Sequence, residues 1–540
     1  MSASSKKKLR NEQEAVKLTE RQLAEQKEAK KLKAYTATFV AVVAALLVIA
    51  LVIGVNQIIS TNGIREKNTV AMTVGEHKIS NAELSYYYID SINNFYSQYG
   101  SYASLFGLDT TKPLDEQNYM GSEEGETWAD YFIDSAKSSI QSVYALVDAA
   151  NAAGHTISDS DALTLENAVS TATLYASIYG YADVDTYLKT MYGTGASVEG
   201  YRDYVEKSLL ADSYYSAYAD TLTYEDADLR AREAENFDKY SAFSYNYYQF
   251  YTSDYLEGGT TDENGNTTYS DEENAVAAAK AKEAAEAVAA GTYLSVDEFD
   301  AAVDAAKEGA VSYSYDDQSY SSISGAVIDW LSADERQAGD VAALKNASTS
   351  TDADGNETTS ITGYYVVYFR GADDNTFALK NVRHTLVAFE GGTTDENGAT
   401  VYSDEEKAAA KTAAEELLAQ WQSGEATEDS FAAMANEHSD DGDGTTGGLY
   451  TDIYPGQMVA SFEDWCFDAA RVIGDTGIIE SDYGYHIMYF VGNSDITYRD
   501  YLIEQELINE DVTNWYTALI EAAPVADGNA SYVNTGMILG

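Results

Sequence analysis

The chain has a single cysteine, Cys466. It can form no intrachain disulfide, which separates it from secreted domains built on a disulfide framework. Proline is nearly as scarce, with only Pro113, Pro455 and Pro524. Low proline content fits a helix-rich chain. Lys and Arg together number 33 against 89 Asp and Glu, for a net charge of −56. Phosphate-backbone binding needs clustered Lys/Arg, so nucleic acid is excluded as a partner. Histidine occurs five times, and three of the five fall between residues 377 and 494.

Tyrosine is in excess, at 45 residues against 15 Phe. Its ring gives apolar area with a hydrogen-bonding tip at low rotamer cost. That suits the packing of amphipathic helices, and equally a cradle for unfolded segments. A second conspicuous feature is the run Tyr35 to Ile59, which has no charged side chain. As a helix it is ~37 Å long, enough to cross a ~30 Å hydrocarbon layer with some tilt. The charged lead before it is long for a cleavable signal peptide, and the exit Asn56-Gln57-Ile58-Ile59 has no small-x-small pattern. We therefore expect an uncleaved transmembrane helix at 35–59. No cysteine follows it to carry a lipid.

Charge sets the expected orientation. Residues 1–34 hold ten Lys/Arg and five Asp/Glu, a balance of +5; with the whole chain at −56, the remainder stands at −61. Positive flanks stay on the cytoplasmic side. The expectation is a cytoplasmic basic segment at 1–34, one membrane pass, and the bulk of the chain on the extracellular face. A large exported part without disulfides fits the outer face of a single-membrane bacterium.

An internal repeat organises the exported part. Residues 257–273, EGGTTDENGNTTYSDEE, recur at 390–406 with fifteen of seventeen positions identical. Each copy holds an Asp-Glu-Asn-Gly hairpin turn, then a Ser (Ser270 or Ser403) placed as a helix N-cap with Glu273 or Glu406 three residues on. The run from Asp262 to Glu273 has acidic spacing somewhat like a calcium loop, but its Gly is at position 4 rather than 6, so a turn is the expectation and no metal is assigned. Further on, Asp329-Trp330-Leu331 parallels Asp464-Trp465-Cys466, and the strand opening at Gly363 parallels the one opening at Gly484. Residues 241–376 thus read as a first copy of the unit at 377–494. Before them, Val70 to Ile79 reads as strand, turn, strand, and Ser80 with Glu83 as a capping box for a helix starting near Asn81. Helical spacing follows over Trp128–Ala153, Asp159–Ala176, Ala182–Met191 and Val198–Tyr218, and again over Ile496–Ala523.

The second copy carries an ordered set of motifs: Val382-Arg383-His384-Thr385-Leu386-Val387, Glu437-His438-Ser439-Asp440-Asp441, Gly447-Gly448-Leu449-Tyr450, Pro455-Gly456-Gln457-Met458-Val459, Phe462-Glu463-Asp464, and Tyr483-Gly484-Tyr485-His486. This order resembles the parvulin-type peptidyl-prolyl cis/trans isomerases over about Leu379 to Asn493. The resemblance implies an α+β domain with an antiparallel sheet and surrounding helices. It implies a proline pocket of Met458 and Phe462 with Leu449 on its wall, and Gln457 on substrate backbone. It implies His384 and His486 as hydrogen-bonded central histidines, Asp441 facing the substrate carbonyl region, and Ser481 and Tyr483 completing the network. It implies no cofactor. Phospho-specific parvulins place basic residues after the first strand; here Glu390 to Glu396 is acidic, so phosphorylated substrates are not required. The stretch from Leu449 to Gln457 reads as one residue longer than usual. His438 is placed at a helix end, outside the catalytic set, and Cys466 in the core.

The first copy has Tyr365 at the position of His486, no histidine on the strand Phe243 to Tyr251, and no Gly-Gln-Met segment. It is read as degenerate. The region 60–240 resembles the helical chaperone part of SurA- and PrsA-like foldases. In those proteins a C-terminal segment, here 495–540, returns to complete that part. The fold class expected is α+β multidomain: transmembrane helix, helical chaperone-like domain, degenerate parvulin-like domain and active parvulin domain. The expected function is an extracytoplasmic isomerase and chaperone for unfolded or partly folded exported proteins with X–Pro bonds. The alternatives are a non-catalytic holdase on the same scaffold and a structural surface protein. The sequence assigns no oligomeric state.

Overall fold

Side chains that accept backbone N–H groups start most of the helices. In the computed structural model, which describes residues 20–120, 125–263, 265–333, 336–351, 357–395, 398–442 and 444–539, the caps Ser80, Thr127, Ser158, Asp183 and Ser197 each accept an N–H from the first turn. Such caps satisfy donors that the helix itself leaves unpaired. Most of the basic segment, residues 1–19, lies outside the described residues, as do Asn264, Glu396 and Asn397 of the two Asp-Glu-Asn-Gly turns.

The chain forms two units, 1–222 with 511–540, and 223–510. In the first, a helix runs from Glu20 to Thr61. Its stretch Thr38–Thr61 has mean hydropathy 3.0 and none of it is buried. By length and composition it is able to cross a membrane.

Strands β1 (Val70–Val74) and β2 (His77–Ser80) follow as an antiparallel pair. The helices Asn81–Tyr99, Trp128–Ala153, Asp159–Ile178, Val184–Tyr192 and Val198–Ala219 come next. Met72, Ile79, Leu84, Trp128, Phe132 and Ile140 are fully buried in the core between strands and helices. The capping box expected at Ser80 is only half made. Ser80 accepts the N–H of Glu83 at 3.1 Å, but the Glu83 carboxylate turns away to the Tyr144 hydroxyl at 2.5 Å and Lys207 Nζ at 3.1 Å. A largely buried carboxylate gains more from an ammonium and a phenol than from one backbone N–H.

The C-terminal strand Val525–Asp527 pairs with β1, so the chain end closes this three-stranded sheet. Asn81 fixes the return: its Nδ2 donates to Asn529 O at 2.8 Å and its Oδ1 accepts the N–H of Tyr532 at 3.1 Å. Gln141 donates to the carbonyls of Ile520 and Ala523, and Trp515 stacks on Tyr218 at 3.8 Å.

The second unit mixes helices with antiparallel sheets. The first large sheet contains β3 (Ala242–Tyr251), β6 (Tyr313–Ser319), β7 (Val341–Thr351) and β8 (Glu357–Asp373), with the hairpin β4 (Thr260–Thr261) and β5 (Thr267–Thr268) between β3 and β6. The second contains β9 (Ala378–Ala388), β12 (Leu449–Ile453), β13 (Thr476–Glu480) and β14 (Gly484–Thr497), with the hairpin β10 (Thr393–Thr394) and β11 (Thr400–Val401) after β9. Their orders are β6-β3-β8-β7 and β12-β9-β14-β13. Each large sheet therefore has the same arrangement, second, first, fourth, third strand.

Details recur as well. Glu273 accepts from Gly259 N and Ser270 N, and Glu406 from Gly392 N and Ser403 N. Each carboxylate ties its hairpin to the start of the next helix. These bonds hold both carboxyl groups below the usual range. Arg336 lies over Trp330 at 4.1 Å, and Arg471 over Trp465 at 4.0 Å.

Candidate active site

Residues two apart on a strand face the same side. In the β9–β14 pair, His384 is opposite Met488 and His486 is opposite Leu386. The two histidines are therefore diagonal neighbours on one face of the sheet. Both are buried, and their Nδ1 atoms lie 3.2 Å apart.

The outer nitrogens are also engaged. His384 Nε2 is 3.1 Å from Asp441 Oδ2, and His486 Nε2 is 2.8 Å from Ser481 Oγ. The partners fix the tautomers. A carboxylate only accepts, so His384 carries its proton on Nε2 and its Nδ1 is an acceptor. His486 then donates from Nδ1, and its Nε2 accepts the Ser481 hydroxyl proton. The result is a one-way chain, Ser481 to His486 to His384 to Asp441. Tyr450 OH also donates to Asp441 Oδ2, at 2.9 Å.

This chain requires two neutral imidazoles, and the surroundings supply that condition. Burial first, then the neighbouring His486, push His384 down to about 4, against a smaller upward pull from Asp441. Burial also lowers His486, again with Asp441 opposing. Desolvation disfavours the charged form of a base.

Backbone contacts position Asp441. Ser439 Oγ accepts the N–H groups of Leu386 at 3.1 Å and Asp441 at 3.2 Å. Asp440 N donates to Leu386 O at 2.9 Å, and its carboxylate accepts the N–H of Ala388 at 2.9 Å. On the other side, His384 N donates to Gly448 O at 2.9 Å. Gly448 has φ +63, and a Cβ there would stand 2.0 Å from His384 O, so only glycine fits.

Above the imidazoles is a cleft of about 340 Å³. Phe462 stands edge-on to both rings, with centroids 5.3 Å from His384 and 5.7 Å from His486. Met458, Val459, Leu386 and Tyr450 continue the wall, and Gln457 and Tyr483 also line it. The Tyr454-Pro455-Gly456-Gln457 turn, with Gly456 at φ +87, presents this segment. Gln457 N donates to Tyr454 O at 3.3 Å, and Gln457 Oε1 accepts Tyr454 N at 3.2 Å. Glu463 accepts the Met458 N–H at 2.8 Å.

The structure thus brings His384, His486, Asp441, Gln457, Met458, Phe462 and Tyr483 to one cleft, with Ser481 bonded behind His486. Leu449 is not on its wall; Tyr450 is. Neighbouring residues on a strand face opposite sides, and the cleft is on the side of Tyr450. Between Tyr450 and Ile453, β12 carries one residue more than the facing stretch of β9, a bulge at which Asp452 takes φ +55. The sequence reading passed over Tyr450, Leu386 and Val459, and over Ser439 and Glu463 beneath them. The period-2 alternation of β9, which puts Leu386 beside His384, was the available signal. His438 ends the helix Glu428–His438 and does not line the cleft. Cys466 is fully buried, and burial pushes its thiol up to about 12.

Residues 384–492 match the family model of the rotamase, PPIC-type PPIase domain. This stretch runs from the first central histidine to the strand that bears the second. It is a peptidyl-prolyl cis/trans isomerase domain. Its type is parvulin, as the ordered motifs implied.

Solved structures similar to the chain include the peptidylprolyl isomerase PrsA from Bacillus cereus, at 24% identity over 28% of this chain and 50% of that chain, with TM-score 0.18. The corresponding protein from Bacillus anthracis is 20% identical over 28% of this chain and 59% of that chain, with TM-score 0.17. PrsA from Bacillus subtilis is 14% identical over 76% of this chain and 90% of that chain, with TM-score 0.23. The chain thus spans about half the length of the first of these structures. No curated protein sequence matches it.

Proposed function

We propose that the chain is a membrane-anchored foldase that isomerises X–Pro bonds in exported polypeptides and holds their unfolded segments. The observation that carries the reading is the cleft walled by Phe462 and Met458 above a one-way hydrogen-bond chain of two neutral histidines.

Rotation about an X–Pro bond breaks no σ-bond. It must overcome a barrier of ~18–20 kcal/mol set by amide resonance. A thousandfold acceleration requires only about 4 kcal/mol of preference for the twisted amide over both planar forms. Phe462 and Met458 grip the proline ring, with Tyr450 on the wall where Leu449 was expected. Gln457 and Tyr483 meet the substrate main chain. The Ser481–His486–His384–Asp441 chain holds the floor rigid and places the Asp441 carboxylate beside the rotating carbonyl. A rigid polar floor under an apolar grip favours the twisted amide, whose carbonyl and nitrogen are no longer conjugated.

In this reading residues 241–376 form a second parvulin-like unit without catalysis. Residues 60–240 with 495–540 form the holding part, and the helix at 35–59 tethers both outside the membrane. Tethering raises the effective concentration of the site for chains emerging nearby. The support is the charge balance across the apolar helix and the exposed Leu163, Leu174, Tyr175 and Ile178 of the helix Asp159–Ile178.

The test is a cis/trans assay of the full chain on unphosphorylated X–Pro peptides, with external protease applied to intact cells. Catalysis and loss of the bulk of the chain to protease are expected. A folded protein without catalysis sinks the isomerase role here, and protection from protease sinks the orientation.

A further inference from the structure

The two large sheets differ most where their last two strands join. In the second, β13 ends at Glu480 and β14 starts at Gly484. In the first, β7 and β8 continue past the equivalent positions, Lys345 and Gly363. They run on as a two-stranded ribbon with the register Ala347↔Ile361, Ser348↔Ser360, Thr349↔Thr359, Ser350↔Thr358, Thr351↔Glu357. β3 stops pairing with β8 at Gly363, so the ribbon has no third strand. Its described side chains are exposed except Ile361, which is half-buried at the base.

Alternate residues of an antiparallel ribbon turn their N–H and C=O groups away from the partner strand. The β7 edge is therefore an open template, and so is the β8 edge beyond Ile361, whose carbonyl accepts the Thr252 hydroxyl at 2.8 Å. The edges of β6, β12 and β13 are blunted. β6 carries Asp316 and Asp317, the latter at φ +47, and shifts register against β3. β12 bulges between Tyr450 and Ile453, with Asp452 at φ +55. β13 is five residues long and ends at Glu480, whose carbonyl accepts from Ser461 Oγ. Charges, bulges and short length are the devices that stop edges from pairing. The ribbon has one register shift where it leaves the sheet, between Asn346 and Ala347. Beyond that it is regular, and residues 347–351 and 358–361 include no charged side chain and no proline.

We propose that this ribbon is a strand-addition site, where an extended, non-acidic segment of an unfolded polypeptide pairs main chain to main chain. Two arguments select that occupant. The edge presents N–H and C=O groups flanked by small hydroxyl side chains, so it reads backbone rather than sequence. Only a chain whose own backbone groups are unpaired has something to exchange. A second copy of this chain would bring another net −56 against the first, and self-repulsion opposes that pairing. The proposal rests on the foldase reading for the kind of partner, but not on the histidine cleft.

The full chain is titrated into a fluorescein-labelled decapeptide of alternating Thr and Val, and into the same peptide N-methylated at alternate residues. Fluorescence anisotropy should show binding of the first and ~10-fold or weaker binding of the second. Thr349→Pro should weaken the first to a similar degree. Ser348→Lys with Thr359→Lys puts charges on the edge without a backbone change and should also weaken it. X–Pro isomerisation should stay at the wild-type rate in both variants, which separates failure here from failure of the isomerase reading. Equal binding of methylated and unmethylated peptide overturns the proposal, as does wild-type affinity in both variants. A dimer in light scattering that either variant converts to monomer gives the edge to a second copy and overturns the choice of partner.

Discussion

The two large sheets of the second unit share their strand order, yet at most functional positions they differ in chemistry. Register gives the correspondence. Tyr247 is opposite Val367 as His384 is opposite Met488, and Tyr365 is opposite Gln249 as His486 is opposite Leu386. Asn346 Nδ2 donates to Tyr365 OH at 2.8 Å, where Ser481 meets His486 at 2.8 Å. Tyr315 takes the place of Tyr450 and stacks on Tyr247 at 5.6 Å. Val327 takes the place of Phe462, as the Asp-Trp pairs 329–330 and 464–465 require. The first sheet keeps an aromatic pair, edge to face, with ring centroids 5.5 Å apart against 5.3 Å in the second. Burial and the Tyr315 hydroxyl push Tyr247 upward, so its phenol stays protonated where an imidazole would titrate. The fold tolerates either pair; a one-way chain of neutral imidazoles exists in only one of them.

The comparison breaks most sharply if the first sheet also catalyses. Changing His384 and His486 together to Ala in the full chain should lower kcat/KM by ~1,000-fold or more, to the uncatalysed rate. Changing Tyr247 and Tyr365 to Phe should leave it unaltered. Residual catalysis in the histidine variant that disappears when the tyrosines are also changed would place a second active site in the first sheet.

A smaller effect separates pocket from core. Phe462→Ala removes a buried ring, at a cost of ~3–5 kcal/mol in stability, and opens the proline cleft. Val327→Ala should lower stability alone. Denaturant melts beside X–Pro kinetics decide this: a folded Phe462→Ala variant with full activity would remove the ring from the site.

Acid should act on one sheet and spare the other. His384 is held at about 4 in the folded chain against an ordinary value of 6.5. Between these values the unfolded chain binds more protons, so stability rises with pH across the window and is lost as pH falls through it. Protonation at Nδ1 also removes the acceptor for His486. Activity of the folded chain should therefore stay level at neutral pH and fall only as pH approaches about 4. A pH profile with no acid limb would show that the imidazole chain is not required.

The smallest effect is expected at Tyr450. Tyr450→Phe keeps the ring and releases one donor from the exposed side of Asp441, which should reduce kcat by ~3–10-fold with little change in melting temperature. Tyr315→Phe in the first sheet should do neither. Unchanged kcat in Tyr450→Phe would reduce Tyr450 to a wall residue.

Local signals were readable from the chain alone. Helical spacing places a helix at Trp128–Ala153, and the structure gives it those bounds. The repeated Ser270 and Ser403 caps with their glutamates are of the same kind. What failed depended on neighbours distant in sequence. Glu83 leaves its cap because Lys207 and Tyr144 arrive from other helices. Leu449 and Tyr450 cannot be told apart until β12 is laid against β9. The direction of the histidine chain follows from Asp441, and the loop from Ser439 to Asp441 is placed by hydrogen bonds to β9 rather than by its own sequence.

The pairing of Val525–Asp527 with β1 has a consequence for biosynthesis. Asn81 and Tyr532 are 451 residues apart in sequence, yet they share a hydrogen bond. A chain emerges from its N-terminus, and contacts across such distances form late because loop closure must come first. The whole of 223–510 is available to fold before the last residues that complete the N-terminal unit have been delivered. The isomerase is thus finished ahead of the unit that precedes it in the chain. Truncation after Glu510 should leave an intact cleft and an unclosed first sheet.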